Sequence, residues 1–136
     1  MKYTDGSQIP QLSQEEFAAS RANTREFTAC VLRAGPKVEM PGPDPTVGVT
    51  AIIFAHGKRN VAMRKAGLLP IVCPIADGSG VTGINIFDPS LDDCRRIMEA
   101  DPGVQAGVFT YELHPCHSMV GSTLPPAPAE GTAAPA

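Results

Sequence analysis

His56 is the residue whose type and setting most invite proton chemistry. It lies in the apolar segment VTAIIFAHGKRNVAMRKA (49–66), between Ile53 and Asn60 at a three/four spacing, with Met63 continuing the same side. An imidazole on a half-buried helix face near a pocket can take or give a proton close to neutral pH. The plainer alternative is a core histidine satisfied by a backbone carbonyl. Asn60 lies one helical turn further on, where its amide can bind or polarise a carbonyl; the alternative is a solvent-facing amide. Cys73 could act as a nucleophile if it comes close to His56, but a buried, inert thiol is the simpler reading. His114, Cys116 and His117 spell H-x-C-H. A structural zinc needs four ligands, and here three lie together around Pro115, so no metal is expected. Gly78, Ser79 and Gly80 resemble a phosphate loop in composition, but they do not open a helix, so no nucleotide cofactor is expected.

Composition narrows the partners. The 136 residues allow one domain with its own core. Net charge is -3 and aromatics are 5% with no Trp, which argues against nucleic acid. No apolar run is long enough to cross a bilayer, and MKYTDGSQIPQL lacks the apolar core of a signal peptide. The expected location is cytoplasmic, and none of the four cysteines forms a C-x-x-C pair.

These residues need elements to hold them. Residues 1–25 read as an N-terminal extension, with Ser13-Gln14-Glu15-Glu16 as a capping box before a short helix at 14–22. EFTACVLRA (26–34) is rich in strand formers. The loop that follows, 35–48, holds four prolines and three glycines, too long and too broken for anything but a functional or mobile connection. The histidine helix runs 49–66 and stops at Gly67. LLPIVCPI (68–75) reads as an edge or interrupted strand because Pro70 and Pro74 cannot donate to a ladder. VTGINIFD (81–88) is a further strand. Ser90 caps a helix carrying Leu91, Cys94, Ile97 and Met98 on one face, which Pro102 ends. VFTYELH (108–114) closes the domain, with Phe109, Tyr111 and Leu113 on one side. The Pro/Ala-rich residues 119–136 are expected to be disordered.

The order β-α-β-β-α-β predicts an α+β fold of the ferredoxin-like, split βαβ kind: a four-stranded antiparallel sheet with both helices on one face. The other face, expected to carry Val81, Phe87 and Val108, would then be bare. A second copy of the chain is the simplest cover, so a homodimer is expected.

The stretch from Asp77 to Leu113 contains Ala100-Asp101-Pro102-x-Val104-x-Ala106-Gly107-Val108-Phe109-x-Tyr111-Glu112. It resembles the C-terminal half of the YCII-related family, within the dimeric α+β barrel group. Upstream, His56 and Ala66-Gly67-Leu68-Leu69 match that family's histidine-to-glycine spacing. The resemblance covers about residues 26–114, within a domain expected at 26–118, and implies a dimeric α+β barrel without a cofactor. It also implies that His56 pairs with an aspartate in a catalytic dyad. Asp77, opening the D-G-S-G turn, is the expected partner, with Asp44 as the fallback; ordinary turn chemistry is the competing role for Asp77. Asn60, Cys73, Ser79 and Tyr111 are the expected substrate contacts. Cys73 and Asn60 depart from the family pattern. The family includes a dehydrochlorinase acting on a chlorinated hydroxyquinol. The leading expectation is therefore a lyase or isomerase using His56 and Asp77 as an acid–base pair on a cyclic, oxygenated small molecule, with 35–48 as a lid. A polyketide-type cyclase or cofactor-free oxygenase is the second reading, and a non-catalytic ligand-binding or scaffold dimer the third.

Overall fold

The structure is a computed structural model that describes residues 6–127. The elements run α1 (Gln14–Ala22), β1 (Thr24–Ala34), α2 (Gly48–Lys65), β2 (Ile71–Pro74), β3 (Val81–Phe87), α3 (Leu91–Glu99), α4 (Pro102–Gln105) and β4 (Phe109–Met119). They make an α+β fold around one four-stranded antiparallel sheet, ordered β2-β3-β1-β4. The chain divides into two compact units, Glu26–His117 and the two chain ends that flank it.

In the terminal unit, Ser13 and Glu16 close the expected capping box, each side chain bonded to the other's backbone N–H at 3.1 and 3.3 Å. Helix α1 buries no residue, and Phe17 is half exposed. The Ser20 hydroxyl meets the Met119 sulfur, and Val120 N–H donates to the Asn23 carbonyl. The Pro/Ala-rich tail lies, from residue 128 on, outside the described residues.

The larger unit carries the core. Thr28, Cys30 and Leu32 of β1, Gly83, Asn85 and Phe87 of β3, and Phe109 of β4 turn to the side covered by the helices. Met63 of α2 and Cys94 and Met98 of α3 close over them. Gly67, with φ of +80°, ends α2 as expected. Leu68 N–H reaches the Met63 carbonyl and Gly67 N–H the Arg64 carbonyl, both bonds of a Schellman motif. The proline-flanked strand β2 shrinks to four residues and takes the sheet edge, where a missing N–H costs least.

Two readings of the sheet need correction. Phe87 and Val108 do not decorate a bare face; they are 0% and 1% exposed and belong to the core. Alternation fixes which residues share a face, but not which face is covered. Pro102 ends α3 but also opens α4, with Asp101 as its N-cap.

Candidate active site

Helix α2 presents His56, Asn60 and Met63 inward as one stripe, because residues three and four apart share a helix face. His56 is 8% exposed, and its ring rests against Phe109, with ring centroids 4.7 Å apart and planes tilted by 48°. Its Nδ1 lies 2.8 Å from Oδ1 of Asp101. Its Nε2 lies 3.1 Å from Nδ2 of Asn60. A carboxylate only accepts, so Nδ1 carries the proton and Nε2 offers a lone pair to the Asn60 amide.

Asp101 is held from several sides. Its Oδ2 accepts the backbone N–H groups of Gly103 and Val104 at 2.9 and 3.1 Å, the ordinary work of an N-cap aspartate. Oδ1 faces His56 and, at 3.5 Å, Nη1 of Arg59. Arg59 is itself fixed by a 2.7 Å bond from Nη2 to the Ile97 carbonyl. Burial would push the Asp101 carboxyl up. The hydrogen bond and charge of His56, the Val104 N–H and the Arg59 charge outweigh it, so its pKa sits below the ordinary carboxylate value. The side chain is therefore an anion fixed under the imidazole, which sets the tautomer and would stabilise a protonated ring.

Gly103 is required by this packing. A Cβ there would overlap the Phe109 ring and come within 3.1 Å of Asp101 Oδ2. The same Phe109 ring backs His56, so one glycine keeps both members of the pair in place.

His56, but not Asp101, lines a cavity of about 920 Å³ between α2, the 38–41 stretch of the long loop, β2 and β3. Its lining is mostly apolar, with Ile53, Phe54, Val61, Val72 and Ile75 among the walls. His56, Asn60, Thr82 and Asn85 are polar residues of its lining, and Lys58 and Arg64 on α2 and Glu39 on the loop are its charged ones. Gly57 faces this space with nothing within 4 Å of where a Cβ would be.

The expected site residues separate into two groups. His56 and Asn60 share the cavity, and so does the part of the proline-rich loop at Val38–Pro41. The other four are elsewhere. Asp77 is an exposed turn residue whose carboxylate accepts the Ser79 N–H at 3.0 Å, and hydrogen bonding from the Ser79 side chain and then from its N–H holds the Asp77 pKa low. Ser79 serves the same turn, its hydroxyl accepting the Val81 N–H. Asp77 is thus corrected as the partner of His56: local Asx-turn chemistry claims it. Asp44 does likewise with Thr46. On β2, Val72 and Pro74 line the cavity, so Cys73 between them points to the opposite face of the sheet. Tyr111 packs against the core instead of lining the cavity.

Sequence reasoning missed Asp101 and Arg59. Asp101 had a signal: an aspartate directly before a proline is an N-cap with Pro at the first helical position. Arg59 had none, since its partners come from α3 and α4. Among the described residues no group of three potential metal ligands converges, and no helix is long and apolar enough to cross a membrane. Compared with known proteins, the chain matches no family model and no curated sequence.

Proposed function

We propose that the chain is an acid–base enzyme of the lyase or isomerase type, acting on a cyclic, oxygenated small molecule. The observation that carries this is His56 at the wall of a largely apolar cavity, backed by the buried Asp101 carboxylate. Asp101 keeps the proton on Nδ1, so Nε2 is the basic atom. In the resting protein the Asn60 amide occupies that lone pair. A bound substrate would take over the Asn60 N–H with one of its oxygens and bring an acidic C–H to Nε2. The proton then moves to Nε2 while the C–H electron pair becomes an enolate or expels a leaving group. Asp101 stabilises the imidazolium without accepting its proton. Return of the proton to another carbon gives isomerisation, and departure of the leaving group gives elimination. No cofactor enters this reading. Apolar walls suit a ring, and Lys58 and Arg64 suit an anionic oxygen on it.

The element order and the strand order β2-β3-β1-β4 support a ferredoxin-like domain, and with it kinship to the YCII-related proteins. Half-exposed Ile84 on the face away from the helices supports a homodimer closing a barrel over that face. Sedimentation equilibrium of the wild type and of Ile84→Lys tests it: a dimer that dissociates in the variant is expected, and a monomeric wild type refutes it.

The chemistry is tested by hydrogen exchange. In D2O, the protein is incubated with enolisable cyclic ketones and lactones, and loss of the α-hydrogen signal is followed by NMR. Wild type should accelerate exchange and His56→Ala should not, with circular dichroism and hydrodynamic size unchanged. Exchange that survives in His56→Ala, or a His56→Ala chain that cannot fold, ends the acid–base reading.

A further inference from the structure

Strand β3 carries one residue too many. Leu32 of β1 faces Gly83 and Arg33 faces Val81, so Thr82 has no opposite number. Such a bulge re-aims a side chain, and bulges gather beside functional sites. Here Thr82 and Gly83, adjacent in sequence, both line the cavity, where strict alternation would send one of them to the other face. The Thr82 hydroxyl oxygen is buried and has no hydrogen-bond partner among the described residues, the one side-chain atom there in that state. Leaving a buried hydroxyl unpaired is costly, and native proteins seldom do so without a reason.

Its surroundings supply the reason. Asn85, 3% exposed, stands on the same cavity wall, and its carboxamide oxygen accepts the Cys73 N–H at 3.3 Å. That bond fixes the amide and leaves its NH2 as a donor. Gly83, which lies between them along the strand, has no side chain, and the Leu32 side chain packs over it. A rotation of about 120° about the Thr82 Cα–Cβ bond interchanges its staggered positions and can present the hydroxyl to a ligand. A hydroxyl gives and accepts, and an amide NH2 gives; together they match a carbonyl or hydroxyl oxygen.

We infer that Thr82 and Asn85 form an oxygen-binding subsite on the sheet wall, separate from the His56–Asn60 wall on α2. The cavity therefore takes a ring compound bearing two oxygen functions, one for each wall. The assignment rests on reading this cavity as a ligand site.

The test uses 2,7-dihydroxynaphthalene and 2-naphthol, alike except for one hydroxyl, with binding followed by fluorescence or NMR titration on the wild type and on Thr82→Val. Valine keeps the shape and removes the hydroxyl. The diol should bind the wild type about tenfold more tightly than 2-naphthol, and Thr82→Val should abolish that advantage. Thr82→Val should also melt higher than wild type, because an unpaired buried polar atom is gone. Thr82→Ser, which restores the hydroxyl, should recover the preference. Equal loss of both probes in Thr82→Val, or an unchanged preference for the diol, overturns the subsite while the cavity remains a binding site. Failure of both probes to bind the wild type overturns the subsite together with the reading of the cavity.

Discussion

Replacing Asp101 with asparagine separates its two jobs. Asparagine caps a helix as well as aspartate, so its carbonyl oxygen can keep the Gly103 and Val104 N–H groups. The other end then turns an NH2 toward His56 Nδ1, where a carboxylate oxygen stood at 2.8 Å. Two donors cannot face each other, so the imidazole must move its proton to Nε2. That places a second clash at the Asn60 amide, 3.1 Å from Nε2, unless Asn60 also flips. The bonds that change are charge-assisted and become neutral at best, a loss of about 1–2 kcal/mol. Asp101→Ala removes the cap as well, about 1 kcal/mol. It also leaves a buried N–H unpaired, so the sum is about 2–4 kcal/mol. Urea unfolding at neutral pH measures the stability, and ¹⁵N–¹H spectra of the ring nitrogens report the tautomer. In the exchange assay Asp101→Asn should lose roughly 10²-fold or more, as expected when a general base carries its proton on the wrong atom. If Asp101→Asn keeps its proton on Nδ1, or Asp101→Ala unfolds at the wild-type urea midpoint, the reasoning about this pair is wrong.

Four further outcomes follow from other parts of the molecule. The Asp101 pKa is lower in the folded state than its ordinary value of 3.8, so the stabilisation it brings is complete above that value and drains away as pH falls through the folded value; urea midpoints in acid should therefore drop more steeply for wild type than for Asp101→Asn. Gly57→Ala should raise stability by roughly 0.5–1 kcal/mol, because a helix-interior glycine is replaced where space is open, and thermal melting checks it. Gly103→Ala should lower stability by about 1–3 kcal/mol through overlap with the Phe109 ring, and should broaden or shift the His56 ring signals. Burial, and then the neighbouring Cys94, push the Cys30 thiol up to about 12, and burial raises Cys94 as well. A disulfide-exchange reagent should thus react with Cys116 in the native protein and reach Cys30 and Cys94 only after unfolding.

The sequence by itself determined the local pieces. Ser13 and Ser90 capped the helices they were expected to cap, and Gly67 stopped α2. The prolines around 70–74 pushed β2 to an edge. These outcomes depend on residues within one or two turns of each other, so they can be read along the chain. His56 and Asn60 were legible for the same reason, as one helical stripe. The partner of His56 was not, because Asp101 is 45 residues away and meets it only when α4 packs on α2. Asp77 is nearer in sequence, yet its own turn had already claimed its carboxylate. Strand faces divided in the same way. Alternation grouped Phe109 with Tyr111 and Leu113, but only the packed helices decided which face was covered, placing Phe87 inside and turning Cys73 away from the cavity. The extra residue in β3 then broke the alternation at Thr82, and no periodicity reveals a bulge until a partner strand is laid beside it.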